Sequence, residues 1–235
     1  MKYSSRAISL TYIKQGESAI ISNIFTEEKG LQTFFIKGVR SKKSKIKLTY
    51  FEPLKLISVD ASFIAKKPLQ NLQGASVIEP FHIGRKNIYK SFISFFIAEV
   101  TTKVLQKNEK NSALFNFVWQ TTNSLYGSEK TDPNFALKYL LNLSRFLGFY
   151  PSLDNLNKPF FNLLNGCFSN TIDLEDNSLE QEKSNYLKAL LKNSEVIIPQ
   201  KQKQELLTKL LQYYKIHHYN LDGITSHLVI QTLRK

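Results

Sequence analysis

Between Arg6 and about Pro80, apolar and polar side chains alternate with a period of two. ISLTYI sets Ile8, Leu10 and Tyr12 on one side, and the alternation returns in SAIISNIF and LQTFFIK. These runs are rich in β-branched and aromatic residues, which suit a half-buried pleated surface. Lys14-Gln15-Gly16-Glu17 and Glu27-Glu28-Lys29-Gly30 separate them, each with a glycine where a short hairpin needs positive φ. A fourth strand is expected from Lys47 to Val59, interrupted at Pro53, and a fifth from Leu69 to Ile78. Pro53 cannot donate to a ladder, so it marks an edge, bend or bulge. Five short strands joined mostly by hairpins predict a small closed barrel, with an OB-fold ahead of an SH3-like barrel.

After Gly84 the pattern turns helical. Ile88, Phe92, Phe95, Phe96 and Val100 follow the spacing of a buried helix stripe, and Leu114, Phe115, Val118 and Trp119 begin a second. Asp132 as N-cap and Pro133 at the first helical position open a third helix, which runs through Leu137, Leu140, Leu141 and Leu147 and stops at Gly148. Ser178 and Gln181 fit a capping box for a helix to about Lys192, followed by helices from about Gln200 to His218 and from Leu221 to the end. The expected class is α+β: an OB-fold barrel over residues 1–80 and an all-α domain over 81–235. The segment 151–177 is irregular, and EPFHIG around residues 80–85 is the linker.

Charge adds a partner to this picture. The 235 residues carry 32 Lys and Arg against 19 Asp and Glu, a formal charge of +13, which suits a polyanion. An anionic membrane is the weaker choice, because FISFFIAEV is short and carries Ser94 and Glu99, and the N-terminal residues lack an apolar signal core. A cytoplasmic protein is expected. One cysteine, Cys167, excludes an internal disulfide and a multi-cysteine zinc site.

The densest charge lies in KGVRSKKSKIK, where Lys37, Arg40, Lys42, Lys43, Lys45 and Lys47 follow a predicted strand with no acid among them. Such a run is often only a solvated loop. Here Phe34, Phe35, Tyr50 and Phe51 flank it, and cations beside stacking aromatics are the ingredients of single-strand binding on an OB-fold. Alternation sends Phe34 and Phe35 to opposite faces, so only one of them can line a groove on a given face. Phosphate contacts supply affinity without sequence preference, so the expected binding is non-specific.

Several short motifs occur in a characteristic order: Gln15-Gly16-Glu17-Ser18, Phe25-Thr26 with Glu28 and Gly30, Lys37-Gly38-Val39-Arg40, and Phe51-Glu52-Pro53-Leu54. Together they resemble the RecO family of bacterial recombination and repair mediators. LLNLSRFLGFYP, from Leu140 to Pro151, and the C-terminal YYKIHHYNL and SHLVIQTLR extend the likeness into the second half. The resemblance implies a DNA repair and homologous recombination mediator of the RecF pathway that binds single- and double-stranded DNA and anneals complementary strands. It further implies assistance in loading RecA onto DNA coated by single-stranded-DNA-binding protein, with RecR, RecA and the acidic tail of that binder as partners. Lys138 and Arg145 are the candidate site for the tail, and a nucleoid-associated location follows from the same likeness.

One departure stands out. Many family members carry a four-cysteine zinc module after the Pro turn, whereas this chain reads PSLDNLNKPFFNLLNGCFSN there. Cys167 cannot hold zinc alone, and His217, His218 and His227 have no thiol or carboxylate at ligand spacing. No metal or other cofactor is expected, and apolar packing through Phe160, Phe161, Leu163, Leu164 and Phe168 takes the place of the metal.

Catalytic signals are weak. Asp173, Glu175 and Asp176 are the one acidic cluster that could suggest two-metal nuclease chemistry, and they precede a helix start, where carboxylates are favourable for ordinary reasons. Phosphate-cradling Gly loops, nucleophile elbows and HExxH are absent from the sequence. The expectation is a non-enzymatic DNA-binding protein, with a basic OB-fold serving ribosomal or transfer RNA as the alternative and a nuclease as the third class.

Overall fold

A computed structural model describes residues 1–41, 44–78, 87–173 and 175–226. Five strands form a closed barrel: β1 (Lys2–Gln15), β2 (Ala19–Thr26), β3 (Gly30–Ile36), β4 (Leu56–Ser62) and β5 (Gln70–Val77). Their order around the barrel is β1-β2-β3-β5-β4, with β3 and β5 parallel and the other pairs antiparallel. The parallel closure settles the choice left open by periodicity: this is the OB-type barrel. β1 is long enough to pair with β4 through its first half and β2 through its second, and it bends at a register shift between Ser9 and Thr11. The inward positions Ala7, Ile20, Ile24, Phe34, Ile36, Phe51, Ile57, Val59 and Ala61 fill the interior.

The fourth strand begins later than expected. Residues Leu48–Phe51 form a 3-10 turn, Leu54 takes a φ of 56°, and pairing starts only at Leu56. Pro53 lacks the N–H a ladder needs, so the chain turns before it can pair.

Helices α1 (Ile88–Val104) and α2 (Ser112–Gly127) are capped by Asn87 and Asn111, whose side chains accept backbone N–H bonds of the first turn. The buried face of α1 keeps Phe96 and Val100 of the expected stripe but is rotated from it. Ile93, Phe96, Ile97, Val100 and Val104 are buried, while Ile88 and Phe95 are exposed. An almost wholly apolar segment has no unique stripe, so its partners choose the face. The loop between the helices adds to the barrel along the first half of β3: Asn108 N donates to Leu31 O at 3.2 Å and Gln32 Nε2 to Asn108 Oδ1 at 3.0 Å. The Arg6 guanidinium pairs with Glu27 (2.6 Å) and lies 5.0 Å over the Trp119 ring of α2. Lys90 is almost fully buried, with its ammonium bonded to the Ser128 carbonyl just past α2, where a cation suits the helix terminus.

The boundary expected at residues 80 and 81 lies outside the described residues. By contact, one compact unit is Met1–Thr131 with a short piece beginning at Ile224, and the other is Asp132–Gly223. The second unit holds α3 (Phe135–Leu147), α4 (Gln181–Leu191), α5 (Gln200–Ile216) and a small sheet of β6 (Phe160–Asn162), β7 (Cys167–Ser169) and β8 (Ser178–Leu179). Helix α3 stops at Gly148 with φ 86°, as expected, but starts two residues beyond Pro133, with Asp132 Oδ1 accepting from Asn134 N (2.7 Å). Ser178 does not cap α4. It lies in β8, and its Oγ accepts from Asp173 N. The helix expected from Leu221 to the end, with His227, runs into residues outside the described ones.

Candidate nucleic-acid interface

The basic stretch leaves the barrel after Ile36 and returns at the 3-10 turn. Its apolar residues point inward, with Val39 buried and Ile46 and Leu48 packed on the barrel core. Gly38 takes a φ of 67°, and Ser41 N donates to Gly38 O at 2.9 Å to close the first turn. Arg40 then ties the loop to the β1–β2 hairpin: its backbone N donates to Ser18 O (3.1 Å) and its guanidinium to Gly16 O (2.9 Å). Lys37, Lys45 and Lys47 are exposed on this anchored loop, beside Arg40. Lys42 and Lys43 lie outside the described residues.

The flanking aromatics divide. Phe34 and Phe51 are fully buried in the barrel, and Tyr50 packs partly against the same core. Phe35 faces outward, and the Lys37 ammonium lies 5.8 Å from its ring centroid. A feature that the sequence reading missed adjoins it on the outer face of β1–β2–β3. Ile13, Ile21 and Phe35 are aligned across three strands, one rung from Thr11, Asn23 and Thr33. Register between strands sets these rungs, and one strand's alternation cannot supply it.

The other candidate residues lie in the second unit. Lys138 pairs with Asp132 at 2.6 Å, so its charge is already engaged near the start of α3. Arg145, two turns further on, is exposed, stacks 4.0 Å over the Tyr150 ring and donates to its hydroxyl at 2.8 Å. The neighbouring leucines 137, 140, 141 and 143 are buried in the unit's own core, whereas Phe146 and Leu153 are exposed.

The acidic cluster is held by local bonds. Asp173 Oδ1 accepts from Glu175 N, and Asp176 pairs with Lys209 at 2.7 Å. Among the described residues no group of three His, Cys, Asp or Glu is arranged to hold a metal ion. The segment where zinc would belong does not fit that ion: Cys167 is its single thiol, and His217 is stacked on Phe149 with Nε2 at 3.2 Å from Leu163 O. Phe161, Leu163 and Phe168 are buried, with Phe161 edge-on to Phe168 (5.1 Å) and Tyr213 (5.7 Å). Leu164 is exposed and takes no part in this packing. Tyr213 donates to Phe149 O at 2.6 Å, and burial pushes its hydroxyl pKa well up. Phe161→Ala should therefore lower stability by about 3–5 kcal/mol, while a strong zinc chelator leaves the thermal midpoint unchanged; calorimetry reads both.

No described helix is long and apolar enough to cross a membrane. The family model for the N-terminal part of recombination protein O matches residues 1–81, and that for its C-terminal part matches 85–220. Among curated proteins, the chain is 31% identical to the DNA repair protein RecO of Flavobacterium psychrophilum, over 100% of this chain and 99% of the relative. It is 30% identical to the RecO of Flavobacterium johnsoniae over the same shares, and 28% identical to that of Phocaeicola vulgatus over 96% of each. Two family models spanning both halves, and relatives matched from end to end, place this OB-barrel and helical chain in the RecO family of DNA repair proteins.

Proposed function

We propose that this chain is a non-enzymatic recombination mediator that binds single- and double-stranded DNA without sequence preference. In this reading it anneals complementary strands and assists RecA loading onto DNA coated by single-stranded-DNA-binding protein, with RecR as co-partner, in the bacterial cytoplasm and at the nucleoid. The observation that carries it is the anchored basic loop. Val39 and Ile46 are seated on the barrel core and Arg40 is tied to the β1–β2 hairpin, so Lys37, Lys45 and Lys47 project from a fixed frame rather than a solvated tether. OB-folds bind oligonucleotides with the strand 2–3 face and the loops joining strands 1–2 and 4–5, and this loop leaves β3 and is tied by Arg40 to the β1–β2 hairpin. Counterion release from such contacts would serve either DNA form.

Strand annealing and RecA filament formation on binder-coated single strands test the proposal. Addition of this protein is expected to accelerate both, and RecR to enhance the loading. No acceleration of either would overturn it.

The acidic tail of the single-strand binder is assigned to Arg145, with Lys138 in a lesser role because Asp132 already holds it. Exposed Phe146 and Leu153 offer apolar surface close in sequence to the Arg145–Tyr150 stack. Arg145→Glu should weaken binding of a tail peptide by at least about tenfold in titration calorimetry, since a charge-assisted hydrogen bond becomes a like-charge contact. Lys138→Glu should weaken it less.

A further inference from the structure

We propose that Phe35 is a base-stacking platform that makes the barrel favour unpaired over paired DNA, an inference that rests on reading the barrel as a DNA-binding surface. The outer face of β1–β2–β3 falls into three zones. At one end, the cross-strand partners Phe25 and Leu31 are buried, and Phe25 lies edge-on to Phe115 of α2 at 5.2 Å. In the middle, Asn23 Nδ2 donates to Thr11 Oγ1 (3.1 Å) and Thr33 Oγ1 donates to Asn23 Oδ1 (2.9 Å). Nearest the basic loop, Ile13, Ile21 and Phe35 lie in register, with Ile13 63% exposed and Phe35 partly so.

This last rung is apolar, open and bordered by cations of the basic loop: Lys37 lies against the Phe35 ring and Arg40 is tied to the β1–β2 hairpin. A polyanion that also presents flat apolar faces fits both features, and that is a nucleic acid with its bases unstacked. In a duplex each base face is covered by its neighbours, so a ring on the protein gains nothing from paired DNA. Lys37, now over the Phe35 ring, has a flexible stem. It can yield the ring to a base and move to a phosphate, because a base–aromatic stack outweighs an exposed cation–π contact. The middle rung explains why the platform would not read sequence: the Asn23 amide bonds to Thr11 and Thr33 through both of its ends, leaving it poorly placed to contact a base edge.

The test measures affinity for oligothymidylate and for a duplex of equal length across a salt series. Phe35→Leu, which keeps an apolar side chain beside Ile21, should weaken single-strand binding roughly tenfold, with duplex affinity and both salt slopes unchanged. Phe35→Trp should hold single-strand affinity, and its added fluorescence should be quenched by the single strand and not by the duplex. Equal losses on both forms, or unaltered single-strand affinity with no quenching, would overturn the platform and leave the rung to a protein contact. If the wild-type chain binds neither form, the reading of the barrel itself fails. Thermal midpoints close to wild type confirm that the variants fold.

Discussion

Gly30→Ala is expected to be among the most destabilising single substitutions in the barrel unit. Gly30 opens β3 with a φ of 64°, and a methyl group built on it would lie 1.9 Å from the Glu109 carbonyl oxygen and 2.6 Å from its carbon. Both atoms belong to the backbone of the α1–α2 loop, so no rotamer change relieves the clash. The strand and loop must separate, and with them go the Asn108–Leu31 and Gln32–Asn108 hydrogen bonds. Left-handed backbone costs an L-residue about 1–2 kcal/mol, and overpacking against a fixed neighbour about 1–3 kcal/mol more. A sum of roughly 2–5 kcal/mol is a large share of the 5–15 kcal/mol that holds a typical domain.

Gly16→Ala supplies the control. Gly16 has a φ of 59° but nothing within 4 Å of an added methyl, so only the backbone cost of about 1–2 kcal/mol applies. Denaturant unfolding of the two variants separates conformation from contact. Hydrogen exchange at Asn108, whose amide bonds to Leu31 O, should quicken in Gly30→Ala alone. Equal losses in the two variants would show that the loop yields and does not grip β3.

Replacing Lys37, Arg40, Lys42, Lys43, Lys45 and Lys47 together with serine is expected to remove most single-strand affinity while leaving the thermal midpoint nearly unchanged. On single strands each phosphate contact contributes about 0.7 to the slope of log K against log salt, so six contacts give a slope near −4. At about 0.1 M salt the same relation assigns up to roughly 10⁴-fold in affinity to the six cations. Stability is spared because Lys37, Lys45 and Lys47 are exposed and hold no part of the core, while Val39, Ile46 and Leu48, which seat the loop, are kept. Arg40 touches the hairpin through the Gly16 carbonyl and Lys37 lies against the Phe35 ring, and both exposed contacts contribute little. Affinity that survives with an unchanged slope would move the grip to another basic surface. This measurement is independent of the Phe35 test, since charge removal alters the slope and ring removal does not.

Legibility differed with the length scale of the interaction. The barrel strands were readable because alternation and glycine turns are local, and Gly16, Gly30 and Gly148 all take the positive φ their positions implied. The end of α3 was readable for the same reason. Ser178 was misread because the capping pattern is weak beside pairing of β8 with Phe161 and Asn162. The face of α1 was read only in part, right at Phe96 and Val100, because FISFFIAEV is apolar nearly all round, so packing against β1 and α2 decided that Ile93 and Ile97 are buried and Phe95 is not. The leucines of α3 near Lys138 and Arg145 carried the right periodicity, but that periodicity belonged to a core and not to an open groove.

By itself the sequence determined a basic chain with a strand half and a helix half, the position of the cationic run, the opposite facing of Phe34 and Phe35, and a segment unable to bind zinc through cysteines. These properties follow from composition and from periods of about two and 3.6 residues, which need no partner to be read. Only the tertiary structure decided that β3 closes on β5, that Phe35 is the outward member of its pair, and that it lines up with Ile13 and Ile21. It also decided that the basic loop is tied to the β1–β2 hairpin and that Gly30 lies under the Glu109 backbone. Each of these depends on register or on contact between distant residues, and a shift of one residue would turn every side chain of a strand to its other face.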